Sequence, residues 1–306
     1  MAPAPVPEPV GSEAALGFLD RLERWATLDA AADPPGLRAS LLFHLRAEQA
    51  AHPANGLVHQ FAARALDVVD AGLQRAERLP DLRVHVAQSC LAERTDLEQA
   101  RAAVAGTATA LVPGRGAWLA TLSCSTTVRE ALLRLQRGGS GPRALVAEGR
   151  PLLAGRALAS ALGLAGVPTW LVVDAALPML LSQAAALWLG ADAVTDRGAI
   201  VAVGGYAAAL AAREHGVAVH VLATRRKFLP AATGALGIEE MPAAEVWDAA
   251  PAGVRARNVH AELVPLELLR GVVVEDGVLG PIESAMVARE RALPAELAGA
   301  MERRAR

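Results

Sequence analysis

A group of hydroxyl side chains near the middle of the chain is spaced to bind an anion. The segment TLSCSTTVREALL, residues 121–133, passes from an apolar, strand-like run into a helical pattern, and its Thr127 and Glu130 have the spacing of a capping box. Ser125, Thr126 and Thr127 would then lie at a helix N-terminus, where unpaired N–H groups and the helix dipole favour a phosphate group. The same hydroxyls could instead serve only to cap the helix, and the local sequence leaves both roles open.

A carboxylate and a thiol in this half of the chain could take part in proton transfer. Asp192, in the sequence Leu-Gly-Ala-Asp, lies in an apolar region where an ionised carboxylate is costly unless it is paired or functional. Cys124 is either a thiol activated by the start of the following helix or a small buried side chain. Asp192 is therefore the stronger candidate for a catalytic acid or base.

Two cations come just after predicted strands and could hold a phosphate. Arg150 follows the second strand, in Glu-Gly-Arg-Pro, and Lys227 follows the fifth, in Arg-Arg-Lys-Phe. A guanidinium can bind phosphate oxygens in bidentate fashion, whereas an ammonium acts as a point charge. Arg150 could equally pair with a neighbouring carboxylate, and Lys227 could belong to a solvated basic turn.

Short apolar runs that alternate with helical windows must position these side chains. The helical windows are residues 128–136, 152–162, 179–186 and 205–214. The predicted strands are residues 117–123, 143–147, 169–173, 187–194, 217–223 and 271–274. The alternation predicts an α/β fold with a parallel, doubly wound sheet, in which ligands bind beyond the carboxyl ends of the strands.

Residue composition and hydrophobic periodicity divide the chain into four parts. Residues 1–12 are rich in proline and are predicted to be a disordered lead-in. Apolar residues recur every three or four positions across residues 13–113, which predicts a helical N-terminal domain. Residues 114–290 form the predicted Rossmann-like α/β domain, and residues 291–306 are assigned to a C-terminal tail.

Composition and charge argue against several classes of function. The net charge of −2, from 30 basic and 32 acidic residues, provides no basic field, so nucleic acid is not expected as a partner. Cys90 and Cys124 lack the spacing of metal ligands and favour a reducing, cytoplasmic setting, and neither a metal nor a cofactor is expected. The apolar runs 157–173 and 175–191 are short for membrane spans, so no membrane association is expected.

The order and spacing of several segments resemble the translation initiation factor 2B alpha/beta/delta family. The resemblance covers roughly residues 114–281 and is carried by TLSCSTTV from residue 121, EGRPLLAGRALASAL from 148, VPTWLVVDAA from 167, LGADAVTDRGAIVAVGGYAAALAAREHGVAVHVLA from 189, RKF from 226 and NVHAELVPLELLRGVVVEDGVL from 258. That family includes regulatory and exchange-factor subunits, methylthioribose-1-phosphate isomerase and ribose-1,5-bisphosphate isomerase. The resemblance implies a helical domain before a Rossmann-like one, a phosphorylated small-molecule ligand, and a homo-oligomer, at least a dimer.

The resemblance also implies roles for individual residues. In the isomerases a Cys after the first strand is the proton acceptor, and the Asp of the Gly-Ala-Asp segment is its partner. Asp192 matches that Asp. When the segments are aligned through Ser125, the isomerase Cys falls on Ser123, and Cys124 lies one position later. Ser123 and Cys124 are therefore both candidates for the proton acceptor.

One departure from the family pattern leaves two functions open. The family's Asn-Lys pair, which the isomerases use at the ligand, is replaced here by Ala202 and Val203. The first function is an aldose-ketose isomerase that acts on a phosphorylated pentose. The alternative is a non-catalytic regulatory or assembly subunit that binds a sugar phosphate or a nucleotide, and the missing pair favours it.

Overall fold

The computed structural model describes residues 11–230 and 240–302. Up to residue 110 the described chain is helical, in α1 (Ser12–Leu28), α2 (Pro34–Ala51), α3 (Gly56–Gln74) and α4 (Leu79–Thr109). Their apolar stripes, with Phe18 and Phe61 among them, meet in a common core. Most of the predicted disordered lead-in, residues 1–10, lies outside the described residues, and α1 begins at Ser12.

The rest of the described chain alternates strands with helices. The strands are β1 (Trp118–Leu122), β2 (Arg143–Ala147), β3 (Thr169–Val172), β4 (Ala186–Gly190), β5 (Ala193–Val194), β6 (Gly198–Ala202), β7 (Ala218–Leu222), β8 (Ala261–Pro265), β9 (Gly271–Val274) and β10 (Gly277–Leu279). The helices are α5 (Thr126–Arg137), α6 (Ala154–Leu164), α7 (Leu177–Leu180), α8 (Gly205–Glu214), α9 (Ala244–Trp247), α10 (Pro281–Glu290) and α11 (Ala295–Glu302). This arrangement confirms the predicted α/β fold with a helical N-terminal region. The segment assigned to a C-terminal tail contains α11, whose Leu297 is buried in the helical core.

The larger sheet is doubly wound and has one point where the direction of winding reverses. Its strand order is β10-β9-β7-β4-β1-β2-β3, and its pairs are parallel apart from the antiparallel β9–β10 hairpin. The chain moves from β1 outward to β3 and then returns to β4 on the other side of β1. Such a switch point, here between β1 and β4, leaves a crevice at the carboxyl ends of the two strands.

A second, antiparallel sheet departs from the predicted pattern. Strands β5, β6 and β8 pair in that order, so the predicted strand 187–194 is wrong as a single element. The chain leaves the large sheet after Gly190 and enters the small one at Ala193, and Asp192 lies in the crossing between them. The predicted helix 179–186 is also wrong, because α7 ends at Leu180 and β4 already begins at Ala186.

Helix α4 joins the helical region to the sheet. Its first half contributes Val86 and Leu97 to the core of the helical region. Its last turns contribute Val104 and Ala108 to a second core, which lies between α5, α6 and one face of the large sheet. Because α4 packs into both cores, it holds the helical region beside the α/β region, and the helical region can contribute side chains to a site between the two.

Candidate active site

A cavity of about 410 Å³ opens at the switch point, within the size range of small-molecule sites. Its walls come from the segments after β1 and β4, from the N-terminal ends of α1 and α6, and from β6 and His260 before β8. The sequence-predicted residues that line it are Ser123, Cys124, Ser125, Thr126, Asp192 and Lys227. The fold therefore brings six of the eight predicted site residues to one place.

The turn between β1 and α5 presents a helix N-terminus to the cavity. Ser125 is the N-cap, and its Oγ accepts a hydrogen bond from the Val128 N–H at 3.4 Å. Helix α5 thus begins at Thr126, and the predicted capping box of Thr127 with Glu130 is wrong. Thr127 is buried and lies outside the lining, whereas Ser125 and Thr126 face the cavity together with the positive end of the helix dipole.

A glycine allows the end of β4 to approach this turn. A Cβ atom at Gly190 would lie 2.3 Å from the Cβ of Ser125, so no larger residue fits without displacing the cap. The two switch-point strands therefore end in direct contact, and this contact places the hydroxyl of Ser125 next to the segment that carries Asp192.

Ser123 and Cys124 both line the cavity, and the backbone between β1 and α5 is strained. Ser123 has a φ of 61°, a left-handed conformation that costs a non-glycine residue about 1–2 kcal/mol. Gly149 packs against it, since a Cβ at Gly149 would lie 3.2 Å from Ser123 Cα. Burial raises the pKa of the Cys124 thiol, and the nearby guanidinium of Arg129 opposes that rise. Cys124 therefore holds its proton at neutral pH in the free protein.

Asp192 is fixed by backbone hydrogen bonds from two different parts of the molecule. Its N–H donates to Ile200 O of β6 at 2.8 Å, and its carbonyl oxygen accepts from the Gly56 N–H at the start of α3 at 2.9 Å. A Cβ at Gly11 would lie 2.9 Å from Asp192 Oδ1, so the start of the helical region closes over the carboxylate. Burial raises the pKa of Asp192, and the Lys227 ammonium opposes that rise.

Lys227 is a buried cation in the same cavity. Its Nζ donates to Ala191 O at 2.6 Å, and the whole residue is only 6% exposed. Burial lowers its pKa, and the Asp192 carboxylate opposes that fall. A Cβ at Gly56 would lie 2.7 Å from Lys227 O, so only glycine lets α3 pack against this backbone. Lys227 is therefore held in place by the helical region and does not form a solvated turn.

Arg150 is not brought into the cavity. Its side chain is exposed, and its Nη2 donates to Val246 O of α9 at 3.2 Å. The reason lies in Asp174, whose two carboxylate oxygens accept from the N–H groups of Gly149 and Arg150 at 2.8 and 2.7 Å. Asp174 thereby holds the loop after β2 in a turn that directs the guanidinium away from the switch point.

Three ionisable lining residues, His260, Glu13 and Arg129, were not among the predicted site residues. His260 lies just before β8, and its Nε2 contacts Glu245 Oε2 at 2.5 Å. Glu13 lies in the first turn of α1. His260 and Glu13 have no signal in the local sequence, because each reaches the cavity through tertiary packing. Arg129 lies in the first turn of α5, beside the predicted helix N-terminus.

Residues 11–230 and 240–302 contain no group of three His, Cys, Asp or Glu side chains that could hold a metal ion. Among the helices described, none combines the length and apolarity that a membrane crossing requires.

The fold is that of a Rossmann-like α/β protein, with a cavity at the switch point of its large sheet and the start of a helical region on one wall of that cavity. The chain belongs to the Initiation factor 2 subunit family, whose sequence profile matches residues 39–281. This match confirms the resemblance drawn from the sequence.

Individual relatives include both isomerases and initiation factors. A methylthioribose-1-phosphate isomerase of Oleidesulfovibrio alaskensis is 33% identical over 183 residues, which cover 56% of this chain and 51% of that protein. The chain thus spans about half the length of this curated relative. The translation initiation factor eIF-2B of Pyrococcus horikoshii has a TM-score of 0.75 at 22% identity, with coverage of 89% of this chain and 92% of that one. The 5-methylthioribose 1-phosphate isomerase of the same organism has a TM-score of 0.72 at 17% identity, covering 91% and 82%. The two structural matches establish the fold.

Proposed function

We propose that the protein binds a phosphorylated pentose in this cavity and interconverts its aldose and ketose forms. The observation that carries the proposal is the meeting of Asp192 and Cys124 with the N-terminus of α5 in one cavity. An isomerase of sugar phosphates needs a pair of groups that transfer protons and a binding site for the phosphate group. The identity to methylthioribose-1-phosphate isomerases supports the same class of reaction.

The phosphate is assigned to the N-terminus of α5. The first N–H groups of a helix have no acceptor within the helix, and the hydroxyls of Ser125 and Thr126 lie beside them. Lys227 supplies a positive charge to the same cavity, and a bound phosphate would favour its charged form. Because the N-terminal end of α1 forms one wall of the cavity and Lys227 is buried, these interactions are screened less than they would be at the surface.

Proton transfer is assigned to Asp192 and to the thiol or hydroxyl of the β1–α5 turn. An aldose–ketose isomerisation removes a proton from the carbon next to the carbonyl and returns one to the former carbonyl carbon, while a hydroxyl proton moves between the two oxygens. Burial raises the pKa of Asp192 above the usual value of a carboxyl group, which favours its use as a group that both accepts and donates a proton. Cys124 or Ser123 would act as the second group.

One observation favours the non-catalytic alternative. Ala202 lines the cavity at the position where the related isomerases have one member of their polar pair, and its methyl group forms no hydrogen bond. A subunit that binds a sugar phosphate or a nucleotide without turnover would tolerate this loss.

Calorimetry and NMR with pentose phosphates, methylthioribose 1-phosphate and nucleotides separate the two functions. We expect binding of a sugar phosphate and conversion of its aldose signals to ketose signals. Binding without conversion would support the non-catalytic subunit. If no compound binds more tightly than millimolar, both the isomerase and the non-catalytic binding subunit are ruled out.

Lys227→Met tests, in the same experiment, whether the phosphate group binds beside Lys227 at the N-terminus of α5. We expect the Kd to rise roughly 10- to 150-fold, the equivalent of one charged hydrogen bond. Arg226→Met is the matched control, because Arg226 pairs with Glu93 and Asp96 of α4 and points away from the cavity. An equal effect of both substitutions would mean that general positive charge, and not Lys227, holds the ligand.

We also propose that the chain pairs with a second copy through the edge of the large sheet at β3. Trp170 and Leu171 of this edge strand and the adjacent Val173 are 49%, 45% and 58% exposed. An unpaired strand edge with apolar side chains favours association.

Trp170→Glu is expected to shift the mass measured by light scattering from dimer to monomer. Phe43→Glu, at an exposed position of α2, should leave the dimer intact, and a wild type that is monomeric at micromolar concentration would refute the pairing.

A further inference from the structure

His260 is held in one orientation by a small hydrogen-bonded cluster. Its Nε2 lies 2.5 Å from Glu245 Oε2, and the same oxygen accepts from Asn258 Nδ2 at 2.7 Å. Asn258 is itself buried and donates to Pro242 O at 2.9 Å. Because an ionised carboxylate only accepts hydrogen bonds, Nε2 must carry the proton. The cluster therefore fixes both the position and the tautomer of the imidazole, and in this tautomer Nδ1 carries the lone pair that can accept a hydrogen bond.

The small sheet places this imidazole on a different wall of the cavity from the phosphate seat. The Val203 N–H donates to His260 O at 3.0 Å, so His260 flanks β6 on its β8 side. Asp192 flanks β6 on its β5 side, where its N–H donates to Ile200 O. The N-terminus of α5, by contrast, follows β1 of the large sheet.

The lining contributed by β6 between these two flanks has no polar side chains. Val201 and Ala202 form it, and neither side chain can donate or accept a hydrogen bond. A sugar that extends from the phosphate seat toward the small sheet would bury hydroxyl groups there, and each buried hydroxyl without a partner carries a penalty. His260 is the lining side chain on the β8 flank that can supply such a partner.

We propose that Nδ1 of His260 accepts a hydrogen bond from a hydroxyl of the sugar part of the ligand, and that Glu245 is the positioning residue for this contact. The inference rests on the proposed function, since it requires a sugar phosphate whose phosphate group lies at α5. It makes His260 a determinant of specificity for the sugar and not for the phosphate.

Calorimetry with ribose 5-phosphate and with inorganic phosphate tests whether His260 contacts the sugar and not the phosphate group. His260→Ala should weaken ribose 5-phosphate binding on the order of tenfold, because a buried hydroxyl loses its partner. Inorganic phosphate should bind within about twofold of wild type, which also reports that the variant is folded. His215→Ala, at the exposed C-terminal end of α8, is the matched control and should change neither affinity.

The results separate the failure of the inference from the failure of the proposed function. If His260→Ala weakens the binding of both ligands equally, His260 contacts the phosphate group. If it weakens the binding of neither ligand, His260 does not contact the ligand. Either result overturns the inference without affecting the proposed function. A wild type that binds neither ligand would overturn the proposed function and the inference with it.

A second variant tests the positioning role of Glu245. Imidazole ¹⁵N NMR should show His260 protonated at Nε2 in the wild type and a mixture of tautomers in Glu245→Ala. Ribose 5-phosphate affinity should fall in this variant, Glu245→Gln should restore it because the amide oxygen accepts from Nε2–H, and the double variant with His260→Ala should bind no more weakly than His260→Ala alone. Additive losses, or an unchanged tautomer, would show that Glu245 does not act through His260.

Discussion

Asp192→Asn is expected to lower turnover by about 10² to 10⁴-fold, the usual contribution of a catalytic acid or base. The amide keeps the shape of the carboxylate but cannot transfer a proton at neutral pH. The backbone groups of Asp192, which bond to Ile200 O and to the Gly56 N–H, are unaffected by the change. Steady-state kinetics with the sugar phosphate found by calorimetry measures the effect, and the Kd of that ligand should stay near the wild-type value.

The stability of the wild type relative to this variant depends on pH, in a direction set by the pKa shift of Asp192. Burial raises the pKa of Asp192, so the folded state favours the protonated carboxyl. The resulting stabilisation is fully present below the pKa of the unfolded chain, about 3.9, and is lost as the pH rises through the higher folded-state pKa. Asp192→Asn should therefore be at least as stable as wild type at neutral pH, as measured by denaturant unfolding.

Asp196→Asn provides a control for the same chemical change outside the site. Asp196 lies between β5 and β6, and its Oδ2 pairs with Arg289 Nε at 3.1 Å. This substitution should leave turnover unchanged. If Asp192→Asn unfolds the protein at neutral pH, or turns over as fast as Asp196→Asn, then Asp192 is a structural residue and the isomerase proposal loses its main support.

The large sheet could be predicted because each of its central strands is a short apolar run separated by a helical window. Local pattern and final pairing agree there, as in 143–147, where predicted and observed bounds coincide. The small sheet carries no such signal. Its β5 has two residues, and β8 lies about sixty residues after β6, so the pairing depends on long-range contacts that no sequence window contains. The apolar run 187–194 therefore resembled one strand.

The same contrast separates the site residues. Ser125, Asp192 and Lys227 come after β1, β4 and β7, which are neighbours in the large sheet. The carboxyl ends of parallel strands lie at one edge of a sheet, so the order of the predicted strands favoured a common site for these residues. Arg150 satisfies the same rule, but its direction is set by Asp174, which holds the intervening backbone. His260 depends on the small sheet and was missed together with it.

Cys124→Ser is the second substitution with a large expected effect, and it decides which residue of the β1–α5 turn moves a proton. We expect turnover to fall by about 10² to 10⁴-fold, because a serine hydroxyl is a much weaker acid than a thiol and transfers a proton less readily. Ser123→Ala is the matched control, since Ser123 also lines the cavity but has only a hydroxyl to offer. Its turnover should stay within about tenfold of wild type, which is less than the usual contribution of a catalytic acid or base.

Thiol chemistry gives the same question an independent readout. Burial raises the pKa of Cys90 to about 12 in the helical core, so Cys124 is the thiol that an alkylating reagent should reach. Because burial also raises the pKa of Cys124, alkylation should become fast only above the usual pH range for a thiol, and bound sugar phosphate should slow it. Protection by the ligand together with loss of turnover in Cys124→Ser would assign the role to the thiol. A fully active Cys124→Ser paired with an inactive Ser123→Ala would transfer that role to the strained serine, whose left-handed backbone already holds it at the end of β1.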